Sequence, residues 1–172
     1  MLANAWLIPL QKVDDDARAV HLGAVAAMAV TEQQRDFVGD PLRMMLVGLE
    51  EESRLPYVIE SDGVAVGVLT LQSGAATLAG WPEAGSAWLL RGFLIDTRYQ
   101  GRGLGSLAAR AAFDEARKLT VALGGDQAGV VLSVNERNPA GINAYAKAGF
   151  LDSGQYLGGS AGPQRIMHRA FT

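Results

Sequence analysis

The segment "WLLRGFLIDTRYQGRGLGSLAARAAFDEARKL", residues 88–119, followed by "VVLSV" at 130–134, constrains the fold more than any other part of the chain. An apolar, β-type run leads into a loop holding Gly101, Gly103 and Gly105, then a helix-forming stretch, then a second apolar run of buried-strand type. Strand, loop, helix and strand in that order imply two parallel strands joined by a crossover helix. Glycine costs backbone entropy, so three glycines at a strand-to-helix junction ask for a reason. Either the chain makes a tight turn there, or the bare helix N-terminus admits an anion. The first amides of a helix are unpaired and carry a partial positive charge. The missing side chains let a phosphate approach them, and Arg102 can add a charge-assisted contact. The loop fits neither common phosphate motif. A dinucleotide fingerprint needs glycine where Ser106 stands, and a P-loop needs a lysine that the loop lacks.

The flanking sequence supplies the remaining elements. "AWLIPLQ" reads as a first strand, and "DDDARAVHLGAVAAMAV" as a helix opened by Asp caps at Asp14 to Asp16. "GDPLRMMLVGLEEES" predicts a second helix with Asp40 as N-cap and Pro41 at its first position. Glu50, Glu51 and Glu52 fall near its C-terminal end, where the dipole disfavours them; they form either a solvated face or an acidic rim for a cationic acceptor. "PYVIESDGVAVGVLTLQ" predicts a hairpin turning at Asp62-Gly63, and residues 73–87 a loop. "NERNPAGINAYAKAGF" predicts a helix with Asn138 as N-cap, Pro139 at the first position and Gly149 just past the end. "QRIMHRAF" suggests a last strand. The order is β, α, α, a three-stranded meander, α, β, α, β, with no repeat and no linker. This predicts a mixed α/β fold in one domain, residues 1–172.

Composition narrows the function. A chain of 172 residues with 49% apolar and 19% charged residues has the make-up of a globular protein with a real core. The net charge of −3 argues against a general nucleic-acid binder, which needs a basic excess to displace counterions. No cysteine is present, so disulfides, thiolate metal sites and a Cys nucleophile are excluded. The N-terminus lacks a basic segment, and Pro9 interrupts its apolar run, so no signal peptide is expected. No run approaches the length of a membrane span. A cytoplasmic protein with neither membrane nor nucleic-acid partner is the expectation.

Two motifs together carry a family resemblance. In "LLRGFLIDTRYQGRGLGSLAARAAF", Gln100, Gly103 and Gly105 fill a Gln/Arg-x-x-Gly-x-Gly/Ala frame. In "VVLSVNERNPAGINAYAKAGF", Asn138, Ala140, Tyr145 and Gly149-Phe150 follow a strand at set spacing. The first resembles the pyrophosphate motif of the GNAT superfamily of acyl-CoA-dependent N-acetyltransferases, and the second its following motif. With "AVTEQQRDFV" added, the chain is similar to bacterial spermine/spermidine acetyltransferases and their relatives. The resemblance implies a central mixed sheet of six to seven strands flanked by about four helices. It also implies a splayed parallel strand pair that holds acetyl-CoA as co-substrate, with no metal.

By that resemblance, the backbone of Phe93, Leu94 and Ile95 pairs with the pantetheine arm, and the amides of Gly101, Arg102, Gly103, Leu104, Gly105 and Ser106 take the pyrophosphate, with Gln100 completing the motif. Asn138, an N-cap on physical grounds, also contacts the cofactor. The Ile95 amide is a candidate oxyanion donor. Tyr145 is the candidate catalytic acid for the departing thiolate, its plainer alternative being a core aromatic. Asn135 either lines the wedge or ends a strand, and Lys147 is an exposed residue near phosphate.

An amine with a pKa near 10 must lose a proton before attack. Some family members carry a glutamate base on the strand before the glycine loop, but residues 88–92 hold no carboxylate. A water chain, Glu83, Glu32 or Asp36 remain as alternatives. Arg91 on this apolar strand either snorkels, pairs with a buried acid, or faces the acceptor channel. His21 and His168 read as packed or exposed, and two distant histidines make no metal site. The expected reaction moves an acetyl group from acetyl-CoA to a primary amine of a small, polyamine-like molecule. The alternatives are a protein N-terminus or lysine as acceptor, or a non-catalytic acyl-CoA sensor. A homodimer is compatible with the fold, though no residue specifies its interface.

Overall fold

A computed structural model describes residues 3–172. Met1 and Leu2, which belong to the N-terminal run read above and to the expected domain, lie outside the described residues. The elements are β1 (Trp6–Pro9), α1 (Asp15–Ala26), α2 (Glu32–Phe37), α3 (Pro41–Glu50), β2 (Arg54–Ser61), β3 (Val64–Gln72), β4 (Trp88–Ile95), α4 (Leu104–Leu123), β5 (Gly129–Asn135), α5 (Pro139–Lys147), β6 (Leu151–Tyr156) and β7 (Gln164–Ala170). Two short 3₁₀ turns, Ala76–Ala79 and Thr97–Tyr99, flank β4. The fold is mixed α+β, as the sequence predicts. The seven strands form one sheet in the order β1-β2-β3-β4-β5-β7-β6, with β4 and β5 parallel and every other neighbouring pair antiparallel.

The ends of the elements follow local chemistry. Asp14, Asp40 and Asn138 cap α1, α3 and α5, each accepting a hydrogen bond from a first-turn amide. The β2–β3 hairpin turns through Asp62 (φ 51°) and Gly63 (φ 75°), the left-handed pair that such a tight turn requires. Two elements were not individually expected among the five helices and seven strands of the described residues. The short helix α2 is nucleated by a capping box in which Thr31 and Gln34 bond each other's backbone. Strand β6, "LDSGQY", has no apolar alternation and is largely exposed. It forms because β7 offers it a pairing edge, which is a tertiary cause.

Three apolar clusters cover the two faces of the sheet, the third gathering Ala76, Ala79, Leu89, Val131 and Ile166. On one face, α4 presents Ala108, Ala109, Ala112 and Ala116, all buried, to Tyr57, Leu69, Leu90, Leu132 and their neighbours. The alanine stripe lets this 20-residue helix approach the strands closely. Trp88 ties it down by donating from Nε1 to Thr120 Oγ1 at 2.8 Å. On the other face, α1 and α3 bury Val25 and Met45 against Val58, Val68 and Leu94.

Strand β4 carries a bulge. Arg91 lies opposite Thr70 and Leu94 opposite Val68, so Gly92 and Phe93 together oppose the single residue Leu69. Gly92 takes φ 59°, which a side chain would strain. The bulge places Arg91 and Leu94 on the same face although three positions separate them; in a regular strand they would point opposite ways.

Close approach of β3 to β4 also makes Gly67 obligatory, since a Cβ there would collide with the Leu94 carbonyl oxygen. The Gly67→Ala variant is expected to lose about 1–3 kcal/mol of stability through this overpacking, measured as a lower urea midpoint with an unchanged m-value.

Candidate active site

Strands β4 and β5 pair at only two positions, Trp88 with Val130 and Leu89 with Val131. Beyond Leu89 they part. The C-terminal half of β5 pairs with β7 on its other side, and the C-terminal half of β4 pairs with β3. The facing edges of both strands therefore bound an open wedge. Alternation of the peptide groups decides which of them point into it. The Asp96 amide donates to Val66 O, and the Leu94 carbonyl packs against Gly67, so both turn toward β3. Ile95 lies between them, and its peptide groups turn toward the wedge. Of the three residues expected to offer backbone there, Leu94 thus faces away at its carbonyl, while Phe93 lines the cleft.

The Ile95 carbonyl is already engaged. Gln34 of α2 donates to it from Nε2 at 3.0 Å, and Gln100 from Nε2 at 2.9 Å. The expected motif residue Gln100 therefore braces the strand end with its side chain. Gln34 was not anticipated. Its signal was present in the sequence, as the third position of a Thr-x-x-Gln capping box, but nothing local says that it reaches a strand 61 residues away.

Past Ile95 the chain is held by Asp96, which is fully buried. Its carboxylate accepts from the Arg98 backbone at 2.9 Å and from Arg98 Nη2 at 2.6 Å. Burial alone would raise the Asp96 pKa; the bonds from Arg98 outweigh it and hold the group below its ordinary value. This clamp sets the 3₁₀ turn from which the glycine loop departs. Gly101 and Gly103 both take φ 76°, and Gly103 ends the loop as the N-cap of α4 with no side chain bonded to the helix amides. Arg102 stacks on Tyr99 at 5.4 Å, with Arg98 at 5.7 Å from the same ring, so two cations flank the loop. Gly105 has another reason to be glycine. It is helical, and a Cβ would stand 3.3 Å from the Ala144 Cβ, so its role is close packing of α4 on α5. Leu104 is buried in the core, and Ser106 Oγ bonds Gly103 O at 3.2 Å.

The wedge opens into a cleft of about 280 Å³. Tyr145 and Asn138 line it from α5, Val134 and Asn135 from β5, and Phe93 from β4. Tyr145 packs edge-on against Phe93 at 5.5 Å and Phe150 at 6.1 Å. Its burial raises the phenol pKa well above the ordinary 10, so it stays protonated and can donate. Asn138 is occupied as a cap, bonding Gly141 N at 3.0 Å. Asn135 both lines the cleft and ties its turn, donating to Ala161 O and accepting from Arg137 N. Lys147 stays exposed, its carbonyl taking Arg110.

The rest of the lining comes from Phe37, Val38, Met44, Arg54, Thr70, Leu78, Arg91 and Gln164, of which the sequence singled out Arg91 alone, with the acceptor channel among its alternatives. Arg137 stacks on Phe37, one of these lining residues, at 5.3 Å. No Asp or Glu side chain lines the cleft, so Glu83, Glu32 and Asp36 do not converge on it. His21 sits 3.7 Å from Glu60, and His168 stacks on Trp81 at 4.2 Å, its pKa lowered by burial; neither joins the site. Among the described residues no group of acidic or histidine side chains could hold a metal.

A splayed parallel pair, an uncapped glycine-led helix and a tyrosine between them are what the sequence motifs anticipated. The Acetyltransferase (GNAT) family profile matches residues 25–150. The chain belongs to this family. It is an acyl-CoA-dependent acetyltransferase. An uncharacterized N-acetyltransferase of Bacillus subtilis, YbbJ, is 27% identical over 155 residues, covering 86% of this chain and 90% of that protein. Among solved structures, aminoglycoside acetyltransferase AAC(6')-Ib with coenzyme A and kanamycin aligns at TM-score 0.65 and 17% identity, over 98% of this chain and 95% of that one. Spermidine N-acetyltransferase from Vibrio cholerae, with CoA and spermine, aligns at TM-score 0.62 and 15% identity, over 97% and 95%. These likenesses are of fold.

The Asp96 clamp gives a pH prediction. A carboxylate whose folded pKa lies below its unfolded value of about 3.9 adds stability above that pH, which is lost as pH falls through the folded pKa. In Arg98→Ala the side-chain bonds and charge are lost while burial and the backbone bonds remain, so the folded pKa rises. The acid-unfolding midpoint, followed by circular dichroism, is expected to move to higher pH.

Proposed function

We propose that this acetyltransferase is a single catalytic domain that transfers the acetyl group of acetyl-CoA to a primary amine of a small molecule by direct attack. The observation that carries the reading is the unpaired edge of β4 facing Tyr145, continuous with the bare N-terminus of α4. An extended pantetheine arm suits the first, by adding as a strand beside Phe93 and Ile95, and a pyrophosphate suits the second. The amides of residues 101–106 bind it, with Arg102 beside them. Asn138 contacts the cofactor with the polar atoms its cap leaves free.

In the reaction the neutral amine nitrogen attacks the thioester carbonyl carbon, with the Ile95 amide as oxyanion donor. The C–S bond breaks, and Tyr145 donates its phenolic proton to the leaving thiolate. With no carboxylate in the cleft, the amine's proton leaves through water, which returns a proton to the Tyr145 phenolate. The cleft volume of about 280 Å³ favours a small acceptor over a peptide strand. Aminoglycoside and spermidine acetyltransferases share the fold and support small amines as a class. A cytoplasmic protein fits this reading; among the described residues no helix is long and apolar enough to cross a membrane.

Thiol release from acetyl-CoA with a panel of amines tests it. Tyr145→Phe is expected to lower kcat about 100-fold or more with little change in KM for acetyl-CoA. Wild-type levels of turnover in that variant would remove Tyr145 from the mechanism. The pH profile of kcat/KM is expected to rise toward the pKa of the acceptor amine. It should show no plateau from an enzyme base near neutrality, and no fall below pH 10 from Tyr145.

A further inference from the structure

The acceptor end of the cleft carries two arginines and no carboxylate of its own. The alignment of strands explains how they meet. Arg54 on β2 lies opposite Gln72 on β3, and Arg91 on β4 lies opposite Thr70. Directly paired residues share a face, so Arg54, Gln72, Thr70 and Arg91 all rise from one patch of sheet.

Neither guanidinium is fully satisfied. Arg91 is half-buried, and its one protein partner is neutral: Nη1 donates to Gln72 Oε1 at 2.9 Å. No carboxylate lies within ion-pair distance of it among the described residues. Burial and the nearby charge of Arg54 both disfavour its charged form, and only Glu51 opposes them. Arg54 Nε lies 2.8 Å from Glu51 Oε2, yet too far off axis for a hydrogen bond, and it is a buried donor without a partner. Two arginines against one glutamate leave a net positive charge. A desolvated, unpaired guanidinium is a costly arrangement that an incoming oxyanion would relieve. Arg91 also stands immediately before the Gly92–Phe93 bulge, and Phe93 touches Tyr145.

We propose that Arg91 and Arg54 form an oxyanion subsite, and that the acceptor is a small amine bearing a carboxylate or phosphate rather than a polycation. The inference rests on the amine-acetylating reading above and narrows it. The arginines that bind the anion would repel the extra ammonium groups of spermidine or an aminoglycoside, and the cleft has no acidic side chain to receive them. The polyamine-like acceptor suggested by resemblance is replaced by a zwitterionic one.

The test pairs each anionic amine with its neutral counterpart in the thiol-release assay. Amino acids are set against their amides, and phosphorylated amino sugars against the free sugars, with spermidine and kanamycin as polycations. The carboxylate and phosphate arms distinguish the two oxyanions. The anionic member is expected to be preferred at least 10-fold in kcat/KM. Arg91→Gln should raise its KM roughly 10- to 100-fold, leave the KM for acetyl-CoA unchanged, and erase the preference over the neutral partner. A structural role for Arg91 would instead alter both partners equally. Preference for a polycation, or an unchanged preference in Arg91→Gln, overturns the proposal. A second readout needs no turnover: the Arg91 Nε–Hε resonance, assigned by its loss in Arg91→Gln, is followed while CoA-loaded protein is titrated with acetate or inorganic phosphate. A saturable shift at millimolar anion supports the subsite even if no amine is acetylated, in which case only the transfer reading fails. No shift with either anion overturns the subsite.

Discussion

Two parallel strands that share only two registered pairs and then part impose the rest of the organisation. A strand edge with unpaired N–H and C=O groups is expensive unless water or a ligand satisfies it. Here β5 solves the problem by pairing with β7, and β4 by pairing with β3, which leaves one open edge on each side of the wedge. Everything that surrounds this opening keeps it in place. Gln34 and Gln100 take the Ile95 carbonyl, Asp96 anchors the chain as it leaves the strand, and α4 and α5 close from one face.

The bulge at Gly92–Phe93 is the second constraint, and it divides the labour along β4. Before it, Leu90 faces α4 and Arg91 faces the acceptor end. After it, Leu94 returns to the face that Arg91 occupied, and Ile95 packs with α4. One inserted residue thereby turns the Arg91 side chain and the Leu94 side chain to the same face of the strand. Met44 packs 3.1 Å from where a Gly92 Cβ would stand, which adds close packing to the left-handed φ that already favours glycine there.

Much of this was readable because its causes are short-ranged. Asp14, Asp40 and Asn138 cap helices through bonds three residues long, and Asp62-Gly63 adopts its turn without outside help. The glycine loop and the Asn-x-x-x-x-x-x-Tyr spacing identified the family from adjacent residues alone. The features that escaped depend on distant partners. Strand β6 has no apolar signature and exists because β7 is beside it. Gln34 looks like a capping residue until the fold brings it to Ile95. Gly105 looks like part of an anion loop, yet its backbone is helical and its neighbour is Ala144.

The sequence by itself therefore determined the helix ends, the hairpin, the parallel crossover and membership of an acetyl-transferring family. All of these follow from periodicity, capping and motif spacing within short windows. The tertiary structure alone decided which face Arg91 occupies and that it meets Arg54 without a carboxylate in the cleft between them. Side-chain direction along a strand is set by register, and register across the bulge is a property of the β3–β4 pairing. The meeting of two arginines in the lining of one cleft was for that reason not written in any one segment of the chain.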